Sequence, residues 1–352
     1  MGRKAEMIQA IEVELVMRKE ELKGQEVACI YFGGGTPSIL ESQEIERILD
    51  TIQNNYSINK SPEITLEANP DDLNVEKVRS LTESPINRLS IGVQSFFGED
   101  LKLMNRAHNA QDALACIQLV KHYFENYSLD LIYGMPGMSN DRWKANVQQA
   151  LDLDVPHLSA YALTVESKTA LAHFVQKGII KPLDDDQAQT HHSILCDMTE
   201  TAGYENYEFS NFGKPNYHSR NNMAYWEGKS YIGIGPGAHS YDGKRRAWNV
   251  SNNPKYIKSI QEEKLPQEIE VLSLNDHYNE HVMTRLRTQK GISLGEINQL
   301  FGEKFKQYLL DQAQDHFKNE LLLIENNQIT VTRKGKFLTD GIAADLFLVN
   351  LS

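Results

Sequence analysis

Several groups in this 352-residue chain have the types and spacing to do chemistry at one place. A glycine triplet, Gly33-Gly34-Gly35, runs into Thr36-Pro37-Ser38. Three glycines ahead of a helix expose backbone N–H and C=O groups and let a ligand come close. Glu67 stands before Ala68-Asn69-Pro70, and Gln94 before Ser95-Phe96. Arg106 lies between Asn105 and Ala107-His108, Asp130 opens the run to Gly134-Met135-Pro136, and Ala162 follows Tyr161. A carboxylate such as Glu67 accepts from ribose hydroxyls, Gln94 both donates and accepts, and Asp130 accepts from an amine or a hydroxyl. Arg106 offers the planar fork that grips a carboxylate. Partners for ribose, amine and carboxylate together describe an amino-acid nucleoside. The triplet is no P-loop, since it lacks the Lys-Ser/Thr pair, and it does not match GxGxxG.

These groups need elements that bring them together. Short apolar runs at 27–32, 64–68, 88–93, 129–133 and 157–162 read as buried strands. Helical patterns at 41–56, 75–81, 110–123 and 141–153 alternate with them. Strand, helix, strand, repeated, predicts βαβ units and a parallel sheet. Ligands of such sheets bind at the carboxyl ends of the strands, where the groups around Gly33–Ser38, Glu67, Gln94, Asp130 and Ala162 fall. Five strands are fewer than a closed eight-fold barrel requires. An amphipathic helix over 6–23, with Met7, Ile11 and Leu15 on one face, precedes the first of them. A helix is expected at 186–201, then a Tyr/Asn-rich stretch, 203–226, and a glycine-rich segment, 231–239. From about residue 270 three helices and two short apolar runs, turned at Asn326-Asn327, read as a small winged-helix-like domain. The expected division is 1–265, a partial barrel with its extension, and 266–352.

Composition narrows the function. The net charge is −12, with 271–352 near neutral, which disfavours a nucleic-acid partner, because such binding displaces counterions with clustered positive charge. No apolar run of 18 residues exists, so no membrane-spanning helix is expected, and the charged start does not read as a signal peptide. Cys29, Cys116 and Cys196 lie far apart and form neither a disulfide framework nor a CxxC metal site. A cytoplasmic location is expected.

The motifs Tyr31-Phe-Gly-Gly-Gly-Thr-Pro-Ser38, Glu67-Ala-Asn-Pro70, Ile91-Gly-Val-Gln-Ser-Phe96, Asn105-Arg-Ala-His108 and Asp130-Leu-Ile-Tyr-Gly-Met-Pro136 closely resemble a known family. It is the radical S-adenosylmethionine family of oxygen-independent coproporphyrinogen III oxidases and their heme chaperone relatives. The resemblance runs in order over nearly the whole chain. It implies an α/β fold, a partial (β/α)6-type barrel with a C-terminal winged-helix-like α+β domain. It also implies that Gly34, Gly35 and Thr36 contact the methionine part of S-adenosylmethionine, completed by Glu67, Gln94, Arg106, Asp130 and backbone at Ala162. The length, the short tail and the stretches 203–212 and 231–240 resemble the heme chaperone branch. That branch is implied to bind heme and pass it to respiratory apoproteins; the alternative is a genuine coproporphyrinogen III dehydrogenase.

Two departures shape the expectation. The family's first strand and CxxxCxxC loop, whose thiolates hold a [4Fe–4S] cluster, have no counterpart here, and three scattered cysteines cannot replace them. The chain as written is therefore expected to hold no cluster and cleave no S-adenosylmethionine. Without that strand, 27–32 becomes a sheet edge and a template for a homodimer. The branch's HNxxYW motif, linked to heme, reads Asn221-Asn222-Met223-Ala224-Tyr225-Trp226, with Asn in place of the axial His. His218 and His239 are then the histidines to weigh for heme beside Tyr225 and Trp226. His277 and His281, spaced i, i+4, share a helical face without a third zinc ligand, and His191-His192 are expected to face solvent. Three rivals stand beside this reading. One is an aldolase- or dehydratase-like partial barrel with Glu67 and Asp130 as acid and base, and another a winged-helix nucleic-acid binder. The last is a non-catalytic heme-binding descendant of the family.

Overall fold

The computed structural model describes residues 3–349 apart from 166–169 and 179. In chain order the elements begin with α1 (Lys4–Met17), β1 (Val27–Phe32), α2 (Ser42–Asn55), β2 (Ile58–Ala68), α3 (Val75–Thr82) and β3 (Arg88–Gln94). Next come α4 (Gly98–Leu103), α5 (Ala110–Tyr123), β4 (Tyr127–Tyr133), α6 (Asn140–Asp152), β5 (His157–Ala162) and α7 (Ala170–Gln176). They continue as α8 (Asp185–Thr201), β6 (Glu205–Glu208), β7 (Asn211–Gly213), α9 (Arg220–Trp226), β8 (His239–Tyr241) and β9 (Arg245–Asn249). Then follow α10 (Asn253–Gln261), β10 (Gln267–Val271), α11 (Leu274–Leu286), β11 (Ile292–Ser293), α12 (Leu294–Phe301) and α13 (Glu303–Gln312). The last are α14 (Gln314–Lys318), β12 (Leu322–Glu325), β13 (Gln328–Val331) and α15 (Thr339–Asp345). No helix among the described residues is long and apolar enough to cross a membrane.

The main sheet has seven strands in the order β1-β2-β3-β4-β5-β7-β6. Pairs β2–β3, β3–β4 and β4–β5 are parallel, and β7 joins β5 antiparallel. The five strands expected from apolar runs are all present. The two further strands come from the Tyr/Asn-rich stretch, whose short polar segments carry no hydrophobic pattern to read. Helices start where a side chain caps them: Asn74 accepts from Lys77 N–H, Asn109 closes a capping box with Asp112, and Ser139 accepts from Arg142 N–H.

Contacts divide the chain into two compact units. One comprises 30–42 and 63–219 and carries most of the main sheet. Its strands alternate strictly. Ile64, Leu66, Leu89, Ile91, Val93, Leu129, Leu131, Leu158 and Ala160 form a buried apolar face. The buried sides of α3, α5 and α6 supply the apolar layer such a face requires. The opposite face is polar: Thr65, Glu67, Arg88, Ser90, Gln94, Ser128, Asp130, His157 and Ser159.

His191 and His192 depart from expectation. Both are buried in α8 rather than facing solvent. His191 Nδ1 accepts from Gly134 N–H at 3.1 Å and its ring stacks near Trp143, while His192 stacks on Phe209 with centroids 4.7 Å apart. Flat rings with polar edges satisfy these loop backbones from inside, which polarity alone does not reveal.

The other unit comprises 1–29, 43–62 and 220–352. Here α1 packs on α10, and a three-stranded sheet runs β10-β9-β8. Helix α1 buries Ile8, Ala10, Glu14 and Leu15, so its inward face differs from the expected Met7–Ile11–Leu15 stripe. The reason is a buried ionic centre. Glu14 accepts from Arg18 (3.1 Å), Gly235 N–H (2.8 Å), Asn249 (2.8 Å) and Tyr256 (2.6 Å). Arg18 donates onward to Gly233 C=O at 2.6 Å and Ser240 Oγ at 2.9 Å. The glycine-rich segment is thus held to α1 by a satisfied ion pair. Towards the end of the chain, α11–α15 and the sheet β11-β13-β12 share one apolar core around Tyr278, Val282, Ile297, Leu309 and Ile329. The β12–β13 hairpin turns at Asn326 and Asn327, both at positive φ (49° and 62°), the twist a two-residue hairpin turn demands.

Candidate functional site

Gly34 and Gly35 both take positive φ (75° and 65°), so the chain leaves β1 in a turn that other residues adopt only with strain. Glu67, at the end of β2, fastens this turn: Oε2 accepts from Gly34 N–H at 3.0 Å and Oε1 from the Tyr31 hydroxyl at 2.8 Å. A Cβ on Gly33 would meet the Tyr31 ring at 2.6 Å, so glycine is what lets the ring lie there. Burial, and then the charges of Glu67 and Asp130, hold the Tyr31 phenol above its ordinary range.

The end of β3 is shaped by two unusual residues. Gln94 sits at φ 67°, in the left-handed region, where the β3–β4 register shifts. Such a conformation in a buried polar residue at a strand end is stored strain of the kind that marks ligand sites. Gly92 lies two residues before it. A Cβ there would stand 2.9 Å from Gln94 Nε2 and 3.5 Å from Arg106 Nη2, so glycine keeps both side chains in place.

Arg106 follows Asn105, which has φ 53°. Among the described residues its guanidinium makes one long hydrogen bond, 3.5 Å to Asn69 Oδ1, and no ion pair. Partial burial lowers its pKa, opposed by the charges of Asp130 and Asp71. Asp130 is pushed up to about 7, first by burial and then by Glu67, against Arg88 and hydrogen bonds from Ser159 and Ser90.

Gly35, Thr36, Ser38, Glu67, Asn69, Ser90, Gly92, Gln94, Arg106 and Asp130 line one cavity that opens to solvent. The structure therefore brings six of the expected residues together: Gly35, Thr36, Glu67, Gln94, Arg106 and Asp130. Gly34 contributes through its bond to Glu67. Ala162 pairs with Tyr133 on β4 and does not line the cavity. Sequence reasoning passed over Asn69, Ser90 and Gly92 as lining residues. The alternation along β3 was the available signal, since Ser90 and Gly92 share a face with Gln94.

The residues considered for heme are separate. His218 Nε2 lies 3.0 Å from Glu205, and its ring stacks on Tyr207 with centroids 4.3 Å apart. Trp226 is covered by the Arg287 guanidinium at 5.0 Å. Tyr225 is exposed and meets Tyr231 edge-on at 4.6 Å. His239, on β8, is exposed beside Trp248.

The cysteines do not fit an iron–sulfur cluster. Cys116 and Cys196 are buried in α5 and α8, the former with its thiol pushed up to about 12, and Cys29 lies in β1. No three metal-ligating side chains are grouped among the described residues, which includes His277 and His281.

The mostly parallel sheet, with its strand-end cavity, has the radical SAM fold. Residues 5–150 match the Radical SAM superfamily and residues 272–338 the HemN C-terminal domain. Coproporphyrinogen III oxidase (HemN) from Escherichia coli superposes with a TM-score of 0.84 over 99% of this chain and 84% of that one, at 23% identity. Heme chaperone HemW of Lactococcus lactis subsp. lactis is 32% identical over 345 residues, 95% of this chain and 91% of that protein. Heme chaperone HemW of Bacillus subtilis is 31% identical over 340 residues, 96% and 90% of the two chains. The chain belongs to the HemW family of HemN-like radical SAM proteins.

Proposed function

We propose that this protein binds S-adenosylmethionine in the strand-end cavity, and that it binds heme and hands it to respiratory apoproteins in the cytoplasm. The observation that carries the first part is the convergence of Gly35, Thr36, Glu67, Gln94, Arg106 and Asp130 on one cavity. The turn at Gly34 to Thr36 offers backbone groups to the methionine end. Arg106, with no anionic side chain bound, takes the carboxylate. Gln94 and Asp130 receive the amine or the ribose hydroxyls, while Glu67 holds the glycine turn in shape. The heme part rests on the relatives called heme chaperone HemW. Of the side chains weighed for it, His239 and Tyr225 are the open ones, whereas His218 and Trp226 are engaged. The expected divisions at 1–265 and 266–352 and a homodimer through β1, which ends the sheet, belong to the same reading.

In the family a [4Fe–4S] cluster supplies the electron that cleaves S-adenosylmethionine. Cys29, Cys116 and Cys196 do not fit that cluster. What the residues of this cavity supply is binding of S-adenosylmethionine. Calorimetric titration with S-adenosylmethionine tests this: Arg106→Met and Gly92→Ala should each weaken binding by ~10-fold or more, the worth of a charge-assisted bond. Absence of binding by the unaltered chain, or binding by both variants as tight as by the unaltered chain, removes the proposal. A hemin titration followed by absorbance tests the heme part separately.

A further inference from the structure

The polar face of the main sheet continues beneath the cavity in a regular way. Glu67, Ser90, Ser128, His157 and Gly213 stand in one register row across β2, β3, β4, β5 and β7. Neighbours in such a row are about 4.8 Å apart and face the same side. Ser128 and His157 are wholly buried, and Ser90 nearly so. His157 Nε2 is 2.8 Å from the Tyr207 hydroxyl, while His157 Nδ1 has no partner among the described residues.

The Asp130 end of this row fixes the directions of the serine bonds. Asp130, as a carboxylate, can only accept, so Ser90 donates to Asp130 Oδ1 across 3.4 Å. Ser90 then accepts from Ser128, 2.9 Å away. At the other end the Tyr207 hydroxyl stands 2.8 Å from His157 Nε2 and is placed to donate to it. Burial first, and then the charges of Arg88 and His218, keep His157 neutral. A neutral imidazole accepting at Nε2 carries its proton on Nδ1, beside Ser128, its register partner.

We propose that His157 is a positioning residue for Asp130: with Ser128 and Ser90 it forms a line of donors all pointing toward that carboxylate. The link between His157 Nδ1 and its register partner Ser128 is one that a single buried water would close. Aligned donors polarise one another and end as a charge-assisted bond. The line presents Asp130 as an anion, ready for a ligand's amine or hydroxyl, although burial and Glu67 oppose ionisation. The groups facing Asp130 are Glu67 on β2, Arg88 and Ser90 on β3, Ser159 and Tyr161 on β5, Tyr31 on β1, and Arg106. Of the ionised groups only Arg88 and Arg106 favour its charge. The inference rests on the reading that Asp130 faces the ligand, but its test uses no ligand.

The test is a pH titration of the full chain with carbon-13-labelled aspartate, the Asp130 signal assigned through Asp130→Asn. Ser128→Ala and His157→Phe should raise the Asp130 midpoint by about one pH unit, the scale of one lost bond to a charged group. Ser128→Thr keeps the hydroxyl and should leave the midpoint in place. Nitrogen-15 spectra of the imidazoles should show His157 neutral with its proton on Nδ1 across the titration. Midpoints in Ser128→Ala and His157→Phe equal to the unaltered protein, or a proton on Nε2, overturn the proposal. If His157→Phe does not fold, Ser128→Ala and Ser90→Ala carry the same test. Loss of S-adenosylmethionine binding alone would count against the proposed function and leave this line of donors standing.

Discussion

Two buried polar centres in this chain are built to opposite specifications. Around Glu14 and Arg18 every strong donor finds an acceptor: both Glu14 oxygens are occupied, and Arg18 reaches a backbone carbonyl and a serine besides. Across the polar face of the main sheet the opposite holds. Among the described residues Thr65 Oγ1, Arg88 Nε and His157 Nδ1 are buried without a partner, and burial and Glu67 together outweigh the groups that favour the charge of Asp130. A satisfied ionic centre adds rigidity and specificity, because removing one member strands the rest. A face with unmet polar groups costs stability where it stands, and proteins retain such a face where something else is to be bound. The comparison separates what holds the fold from what the fold holds out.

Removing Glu14 would break the contrast most forcefully. Glu14→Ala leaves Arg18, Tyr256 and Gly235 N–H facing a buried gap, and should lower unfolding free energy by about 3–5 kcal/mol. Urea denaturation followed by circular dichroism reads this. A loss within ~1 kcal/mol would mean that the centre is not the keystone of its unit.

The next effect concerns Asp130. Its pKa rises to about 7 in the folded protein, so between about pH 4 and pH 7 the folded state binds more protons than the unfolded one. Its contribution to stability therefore falls as pH rises through that window and is level above it. Between pH 4 and pH 8 the fall should be of order 2–4 kcal/mol, and Asp130→Asn should abolish it. Burial makes His157 act in the other direction, since its folded pKa is depressed and it loses stability as pH falls below about 6.5. Comparing the unaltered protein with Asp130→Asn at each pH isolates the carboxylate. Parallel curves would show that Asp130 ionises as an ordinary carboxylate.

The smallest effect sharpens the comparison from the other side. Thr65→Val replaces an unpartnered buried hydroxyl by a methyl group of similar shape. It should change stability by less than about 1 kcal/mol, or raise it. A loss of several kcal/mol would show Thr65 to be as well satisfied as Glu14.

Much of this was legible in the sequence. The five apolar runs became β1 to β5, because a strand buried on one side by helices needs an apolar residue at every second position. Polar groups after those runs converged because a parallel sheet sends all its carboxyl ends to one rim. Gly34, Gly35 and Glu67 were readable as a set; that Glu67 fastens the glycine turn was not, since this depends on where the Tyr31 ring lies. Strands β6 and β7 were invisible, being short and polar. Glu14 and Arg18 were not legible as a buried pair, because an i, i+4 charge pair on a helix ordinarily lies in water. His191 and His192 misled, as polar residues whose partners are loop backbones far along the chain.

The distance in sequence between Glu14 and its partners has a bearing on synthesis. Tyr256 lies 242 residues beyond Glu14, and Asn249 lies 235 beyond it. At 5–20 residues per second, the ribosome needs roughly 12–50 seconds to deliver them. During that interval α1 exists with a carboxylate and a guanidinium on the face destined for the interior and nothing to receive them. The unit around 30–42 and 63–219 has every strand it needs before the first helix can dock. The nascent chain should thus fold its inserted unit first and close the unit that flanks it last.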